Sequence, residues 1–185
     1  MKKILFLVGE SGCGKTTLQR RLNEQFPQKY SNIMSTVTRE PREGEIDGLS
    51  YHFDSRSEFE KSIKREEFLQ YVEFSDNYYG TKYREYEKTQ DVGIFVCTPI
   101  GVSDTIEGLK RRFGTRFEFN VVFMLASKGL LISHGVHEDR INRGNISQEF
   151  VEMFIGNRFD EVDSVTVITD ADINHELAKK INLLV

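Results

Sequence analysis

A lysine and two threonines follow three glycines in residues 9–17, which read GESGCGKTT. From Gly9 to Thr16 this stretch matches the pattern G-x-x-x-x-G-K-[ST]. In such a loop the backbone N–H groups converge on phosphate oxygens, the lysine reaches the β- and γ-phosphates, and the threonine hydroxyl binds Mg²⁺. The alternative is a flexible strand-to-helix turn that carries an exposed lysine. The pattern favours binding of ATP with Mg²⁺.

The elements around this loop are those that a phosphate site needs. The preceding residues Ile4–Val8 form a continuous apolar run, which is typical of a strand buried on both faces of a parallel sheet. Residues 15–26 carry apolar side chains four positions apart and are followed by Pro27, which predicts a helix that ends there. We therefore name residues 9–17 the P-loop. Its candidate ATP-binding residues are Gly9, Ser11, Gly12, Cys13, Gly14, Lys15, Thr16 and Thr17, with Thr16 as the candidate Mg²⁺ ligand and Lys15 as a catalytic candidate.

The rest of the chain predicts an α/β fold. Further strands are predicted at 93–97, 120–125 and 164–169, and helices at 103–113 and 173–184. Strands that alternate with helices favour a parallel sheet in three layers. Two segments do not fit the alternation and are predicted to be inserts at one edge of the sheet. They are residues 31–88, with one short helix starting at a capping box from Ser57 to Glu60, and residues 128–146.

The composition excludes several classes of function. The chain has 185 residues, which is enough for one domain with a sizeable core, and a net charge of −4. This charge argues against a general nucleic-acid or membrane-surface binder, and no apolar run is long enough to span a membrane. The two cysteines, Cys13 and Cys97, lack the spacing of a metal site or a disulfide framework. We expect a cytoplasmic protein without a nucleic-acid or membrane partner.

A second positively charged segment lies in residues 35–53, where Arg39 and Arg42 flank Pro41. Two guanidinium groups held close together repel each other unless an anion lies between them. On composition alone, a solvated loop is favoured, in which the neighbouring glutamates 40, 43 and 45 neutralise the arginines.

Residues 35–83 decide between these alternatives by resemblance. They read STVTREPREGEIDGLSYHFDSRSEFEKSIKREEFLQYVEFSDNYYGTKY and closely resemble the nucleotide-binding segment of guanylate kinases; with the P-loop, the match covers about residues 3–83. The resemblance implies transfer of the ATP γ-phosphate to a nucleoside monophosphate (NMP). It also implies that the phosphate of the acceptor is held by Ser35, Arg39, Arg42, Tyr51 and Tyr79, and that Thr81 and Gln70 face its base.

The resemblance also assigns the predicted elements to the parts of the family's fold. It implies a P-loop core formed by residues 1–30, 89–127 and 147–185, an NMP-binding insert at 31–88 and a mobile lid at 128–146. By the same resemblance, the lid arginines are Arg140 and Arg143, with Arg158 on the helix that follows. Arg39, Arg143 and Arg158 join Lys15 as catalytic candidates.

Four positions depart from the family pattern, one of which is Thr169, near the last strand, where the family has asparagine. Gln70 stands where the family has glutamate, and Val96 and Thr98 stand where it has two aspartates at a strand end. Thr98, the third base-facing candidate, carries a hydroxyl that both donates and accepts hydrogen bonds, so it favours no base. A carboxylate accepts from both N1–H and N2–H of guanine, whereas an amide turns its own N–H₂ toward one of them. We expect a base preference that is relaxed or shifted away from guanine, because an unsatisfied buried polar group costs about 1–3 kcal/mol.

Two other functions are compatible with the sequence. The first is a kinase for a non-guanine or modified (deoxy)nucleoside monophosphate. The second is a catalytically weak module of the same fold that binds protein partners. The missing carboxylates favour the module mildly, while the intact P-loop argues against it.

Overall fold

The computed structural model describes residues 1–143, 162–172 and 176–185; the side chains of residues 140, 142, 143 and 171 are not included. Within these residues the core is a five-stranded parallel sheet with the strand order β2-β7-β1-β8-β9. Its strands are β1 (Lys2–Gly9), β2 (Tyr30–Asn32), β7 (Val92–Cys97), β8 (Phe117–Met124) and β9 (Ser164–Ile168). The predicted parallel α/β sheet is confirmed, and β2, which the sequence did not predict, adds one of its edges.

The core sheet is covered on both faces, which makes three layers. Alternate residues of β1 point to opposite sides, so that Phe6 lies in one apolar cluster and Leu7 in the other. The Phe6 cluster includes Ile106 of helix α4 (Pro99–Phe113). The Leu7 cluster includes Leu22 of helix α1 (Lys15–Gln25) and residues of the C-terminal helix (Leu177–Leu184). Because both faces are buried, the continuous apolar run of β1 is required by the fold.

The core helices begin and end close to the predicted positions, with one exception. Helix α1 covers Lys15–Gln25, and the C-terminal helix covers Leu177–Leu184; residues 173–175 of its predicted range lie outside the described residues. Helix α4 was predicted to start at residue 103 but starts four residues earlier, at Pro99. The Thr98 hydroxyl accepts a hydrogen bond from Gly101 N at 3.2 Å, and proline is favoured in the first turn, so the helix begins there.

A second sheet lies in the segment predicted as the NMP-binding insert. Its strand order is β4-β3-β6-β5, and its strands are β3 (Thr36–Val37), β4 (His52–Phe53), β5 (Phe68–Phe74) and β6 (Asn77–Lys82). Among the described strands, none belongs to both sheets. The segment also contains two helices, α2 (Arg56–Lys64) and α3 (Tyr83–Glu87), so the prediction of one helix was wrong.

Helix α2 also begins earlier than predicted. Its N-cap is Ser55, whose hydroxyl accepts a hydrogen bond from Glu58 N at 3.2 Å, and Ser57 lies inside the first turn. Both Ser55 and Ser57 are followed three residues later by glutamate, so the capping pattern occurs twice in succession. The sequence prediction chose the second occurrence.

The predicted lid segment contains two short helices, α5 (Lys128–Ser133) and α6 (Glu138–Arg143). Ser127 caps α5 through a hydrogen bond from Leu130 N to its hydroxyl, and Ser127 N itself donates to Asp170 Oδ1 at 2.9 Å. Asp170 opens a 3₁₀ turn directly after β9. The start of α5 is therefore fixed to the carboxyl end of the core sheet. In the part of the chain that is described, no helix has the length and apolar character needed to cross a membrane.

Candidate active site

The P-loop connects β1 to α1 at the carboxyl edge of the core sheet. Gly12 and Gly14 have φ angles of +86° and +96°, values that glycine adopts without the steric cost of a side chain. Gly14 is the N-cap of α1, and no side chain caps this helix end. The first N–H groups of a helix lack intrahelical partners, so those of α1 remain available to an anion.

Lys15 folds back across the loop that precedes it. Its ammonium nitrogen lies 2.7 Å from Gly9 O and 2.6 Å from Glu10 O, and 3.6 Å from the sulfur of Cys13. The two carbonyl oxygens hold the cation at the mouth of the loop. A phosphate that enters the loop thus meets an ammonium group whose position is already restricted.

Cys13 has a packing role. It is completely buried in the apolar cluster that contains Leu7, and a Cβ on Gly9 would lie 2.6 Å from its sulfur. Any phosphate contact from Cys13 would therefore come from its backbone N–H. The glycine at position 9 is required because the loop closes tightly over this sulfur.

A cavity of about 630 Å³ opens directly above the P-loop, and we name it the loop cavity. It brings Lys15 of the P-loop together with Arg42 of the segment 35–53. Its lining residues are Gly9, Ser11, Gly12, Gly14, Lys15, Thr16, Thr17, Arg42, Tyr51, Val96, Cys97, Thr98 and His134. Two cations from distant parts of the sequence thus face one space, as two neighbouring anion sites require.

A second cavity of about 350 Å³ adjoins the first, and we name it the side cavity. Thr16, Tyr51 and Val96 line both cavities. The other lining residues of the side cavity are Gln19, Ile33, Met34, Ser35, Glu43, Gly44, Glu45, Leu49 and Ser50. The shared walls make the two cavities parts of one cleft between the P-loop and the second sheet.

Arg39 is bound to a carboxylate of its own loop. Its two terminal nitrogens donate to Glu45 at 2.6 and 2.8 Å, and its guanidinium carbon lies 5.1 Å from the ring centre of Tyr51. The hydrogen bond from Arg39 lowers the pKa of Glu45 from 4.5 to about 2. The same bond raises the pKa of Arg39, and the nearby phenols of Tyr51 and Tyr79 add smaller contributions. Of the glutamates expected to neutralise the arginines, Glu45 pairs with Arg39.

Three of the predicted acceptor-binding side chains form a hydrogen-bonded group. The hydroxyl oxygens of Ser35 and Thr81 are 3.0 Å apart, and Gln70 Nε2 lies 3.5 Å from the Thr81 oxygen. Thr81 is fully buried, while Ser35 lines the side cavity. The antiparallel pairing of β5 with β6 places Gln70 opposite Thr81.

Thr98 lies elsewhere. Its hydroxyl oxygen is occupied as the cap of helix α4, and it lines the loop cavity with Lys15. The structure therefore brings Thr98 next to the P-loop, while Ser35 lines the neighbouring side cavity. Val96, the other position without a carboxylate, lines both cavities.

The segment after α5 covers the P-loop, a contact that sequence reasoning missed. His134 donates a hydrogen bond from Nδ1 to Gly12 O at 2.8 Å, and a Cβ on Gly12 would overlap Val136 Cγ2. The two partners are 122 positions apart in the sequence, and no local pattern marks the contact. Of the predicted lid arginines, Arg140 and Arg143 belong to α6, where their side chains are not described, and Arg158 lies outside the described residues.

The residues that could hold Mg²⁺ are few. The described residues contain no cluster of three or more histidine, cysteine, aspartate or glutamate side chains suited to a metal ion. Thr16 lines both cavities, and its hydroxyl is the donor that the P-loop pattern assigns to Mg²⁺. Because Mg²⁺ keeps several waters and takes oxygens from the nucleotide, one hydroxyl fits a metal that arrives with ATP.

Comparison with known proteins places these features in a family. The family model described as "Guanylate kinase" matches residues 1–128. A guanylate kinase of Desulfitobacterium hafniense (strain Y51) is 32% identical over 182 residues, which are 98% of this chain and 86% of that protein. A guanylate kinase of Helicobacter pylori is 34% identical over 176 residues, 95% of this chain and 81% of that protein. A crystal structure of guanylate kinase from Anaplasma phagocytophilum has the same fold, with a TM-score of 0.60 at 20% identity, and covers 99% of this chain and 84% of that one.

Proposed function

The chain belongs to the guanylate kinase family, and we propose that it transfers the γ-phosphate of ATP to a nucleoside monophosphate, giving ADP and a nucleoside diphosphate. The observation that carries this proposal is the position of Lys15 and Arg42 on one cavity. Phosphoryl transfer needs two bound phosphates in line, each next to its own cation, and little covalent chemistry from the protein. A cleft with one cation on each side meets that need.

The main task of the site is to offset the repulsion between two anions. Like charges 4 Å apart repel by about 4 kcal/mol at an effective dielectric constant of 20. Lys15 and the free N–H groups at the start of α1 neutralise the phosphates of ATP, and Arg42 neutralises the acceptor phosphate. Arg39 lies beside Tyr51 and is paired with Glu45, which offsets its charge, so the positive charge on the acceptor side comes mainly from Arg42.

When ATP is bound, Mg²⁺ supplies further neutralisation of the β- and γ-phosphates, and Thr16 is the residue that would hold it. We assign the stabilisation of the remaining transition-state charge to the lid arginines Arg140 and Arg143 and to Arg158, which follows the lid. The contacts of His134 and Val136 with Gly12 support a lid at residues 128–146, because they bring this segment onto the P-loop. A closed lid also excludes water that would hydrolyse ATP.

We assign the acceptor to the side cavity, with its phosphate toward Arg39, Arg42, Tyr51 and Tyr79 and its base toward Gln70 and Thr81. Ser35, which the resemblance assigned to the phosphate, is assigned instead to the base, because its hydroxyl oxygen lies 3.0 Å from that of Thr81. The base preference is proposed to be relaxed or shifted away from guanine. Gln70 offers one acceptor oxygen where a carboxylate offers two. The substitution of glutamate by glutamine thus removes one of the two acceptors for the donor groups of guanine.

A coupled assay of ADP release over all common ribo- and deoxynucleoside monophosphates tests the proposal. We expect Mg²⁺- and ATP-dependent turnover with at least one monophosphate, and measurable turnover with a base other than guanine. Turnover restricted to GMP and dGMP would refute the proposed base preference while leaving the kinase assignment intact. ATP binding without turnover on any monophosphate would refute the kinase assignment.

A further inference from the structure

Glu85 is a buried carboxylate that the proposed mechanism does not use. It lies on helix α3, outside both cavities, and its side chain is only 2% exposed. A buried carboxylate is stable only when its oxygens are paired with donors or cations. Two of the partners of Glu85 are next in sequence to residues of the proposed acceptor site: Met34 precedes Ser35, and His52 follows Tyr51.

The first donor fixes the backbone next to Ser35. Met34 N donates to Glu85 Oε2 at 3.2 Å, and both Met34 and Ser35 line the side cavity. The position of Ser35, and of the hydroxyl pair it forms with Thr81, therefore depends on the carboxylate of Glu85.

The second donor fixes the strand that follows Tyr51. His52 Nε2 lies 3.2 Å from Glu85 Oε1, and His52 N donates to Ser35 O at 3.0 Å. The imidazole thus connects Glu85 to β4, and the backbone of β4 connects to Ser35. Tyr51, which precedes His52, lines both cavities and supports the Arg39 guanidinium.

Lys88 supplies the countercharge. Its ammonium lies 2.7 Å from Glu85 Oε2, on the solvent side of the carboxylate, since the lysine side chain is about half exposed. Glu85 therefore has one oxygen shared by Met34 N and Lys88 and the other facing His52. Glutamine at this position loses the charge that pairs with Lys88, and it turns its N–H₂ group toward His52, whose Nε2 must then accept a hydrogen bond instead of donating one.

We propose that Glu85 is a positioning residue that sets the geometry of the acceptor half of the site by holding Met34 and His52 at once. This role rests on the proposed function, because it assigns the side cavity to the nucleoside monophosphate. If Glu85 has this role, its loss changes the KM for the monophosphate and leaves the KM for ATP nearly unchanged. The reason is that no described contact of Glu85 reaches the P-loop.

The test compares Glu85→Gln with Glu87→Gln, which removes an exposed carboxylate from the same helix. We expect Glu85→Gln to raise the KM for the best monophosphate of the panel about 10-fold or more and to change the KM for ATP less than about 2-fold. Glu87→Gln should leave both values unchanged. If Glu85→Gln does not fold, His52→Phe removes one of the two links and should raise the acceptor KM alone.

Three outcomes overturn the role of Glu85. The first is a folded, active Glu85→Gln variant with unchanged KM values, and the second is an equal rise in the KM values for ATP and for the acceptor. The third applies when Glu85→Gln does not fold, and it is an unchanged acceptor KM in His52→Phe. Absence of wild-type turnover on every monophosphate would instead refute the proposed function, and the role of Glu85 with it. The wild-type panel therefore separates the two failures.

Discussion

The guanidinium of Arg39 forms two hydrogen bonds with the carboxylate of Glu45, with N···O distances of 2.6 and 2.8 Å. Arg42 N also donates to Glu45, at 2.8 Å, so a single carboxylate holds the loop that carries both arginines. Planar two-point pairing fixes the orientation of a guanidinium as well as its distance. Glu45 therefore keeps Arg39 against the cleft wall formed by Tyr51.

Replacement of Glu45 by glutamine should lower the free energy of unfolding by about 1 kcal/mol at pH 7, the magnitude typical of a partly exposed ion pair. The folded-state pKa of Glu45, about 2, lies below its ordinary value of 4.5, so the carboxylate stabilises the fold fully above pH 4.5. This contribution is lost as the pH falls from 4.5 through about 2. Urea denaturation at several pH values measures it.

The control for this change is Glu40→Gln, an exposed residue of the same loop whose substitution should be neutral. A stability difference between wild type and Glu45→Gln that stayed constant from pH 7 to pH 3 would show that the ion pair is not its source.

Lys15→Ala should strongly reduce the proposed activity without unfolding the protein. The ammonium is the cation of the P-loop, and loss of one such electrostatic contact typically lowers kcat by about 10²–10³-fold. ATP titration and initial-rate assays measure the effect. Lys110→Ala, at an exposed position of α4, is the matched control. Wild-type ATP affinity and rate in Lys15→Ala would contradict the role assigned to the P-loop.

Gly12→Ala should weaken both ATP binding and the contact between the P-loop and the segment after α5. The φ angle of +86° costs a non-glycine residue about 1–2 kcal/mol, and the new methyl group overlaps Val136. Calorimetric titration with ATP measures the loss. The double variant Gly12→Ala with Val136→Ala should recover only the part of the lost ATP affinity that is due to the overlap with the Val136 side chain.

Gly129→Ala provides the comparison, because its Cβ would meet nothing closer than Ser127 Oγ at 3.8 Å. Since alanine favours helix over glycine by about 1 kcal/mol, this variant should keep ATP affinity and gain slightly in stability. If both alanine variants bound ATP equally well, the close contact of Gly12 with Val136 would not contribute to ATP binding.

Gln70→Glu should shift the acceptor preference toward guanine. The carboxylate restores an acceptor for each of the two guanine donors, and an unpaired donor costs about 1–3 kcal/mol, so the ratio of kcat/KM for GMP to that for AMP should rise about 10-fold or more. Gln90→Glu adds the same charge at an exposed loop position and controls for net charge. An unchanged ratio of the kcat/KM values for GMP and AMP in Gln70→Glu would show that residue 70 does not take part in base recognition.

The sequence predicted the core of this site because the signals there are local. The buried run of β1 has residues Ile4 to Val8 completely inaccessible to solvent, as its continuous apolar pattern requires. The P-loop pattern likewise follows from adjacent residues. The start of α4 also has a local signal, Thr98 followed by Pro99, although the prediction placed the start of the helix at residue 103.

Other parts could not be predicted because distant residues decide them. Strand β2 is three residues long and takes its place through parallel pairing with β7. Two of the partners of Glu85 lie 33 and 51 residues away in the sequence, and the acceptor of the His134 hydrogen bond lies 122 residues away. The helical or extended tendency of a short segment carries no information on such partners.

Helix α1 begins at Lys15, directly after its N-cap Gly14, and its first turn has no acidic side chain and no side-chain cap. The partial positive charge of that helix end is thus unopposed by its own residues, and it attracts any tetrahedral oxyanion. Inorganic sulfate and phosphate in a buffer will compete with the nucleotide for this position. The affinity for ATP measured in chloride solutions should therefore exceed the affinity measured in sulfate or phosphate solutions of equal ionic strength.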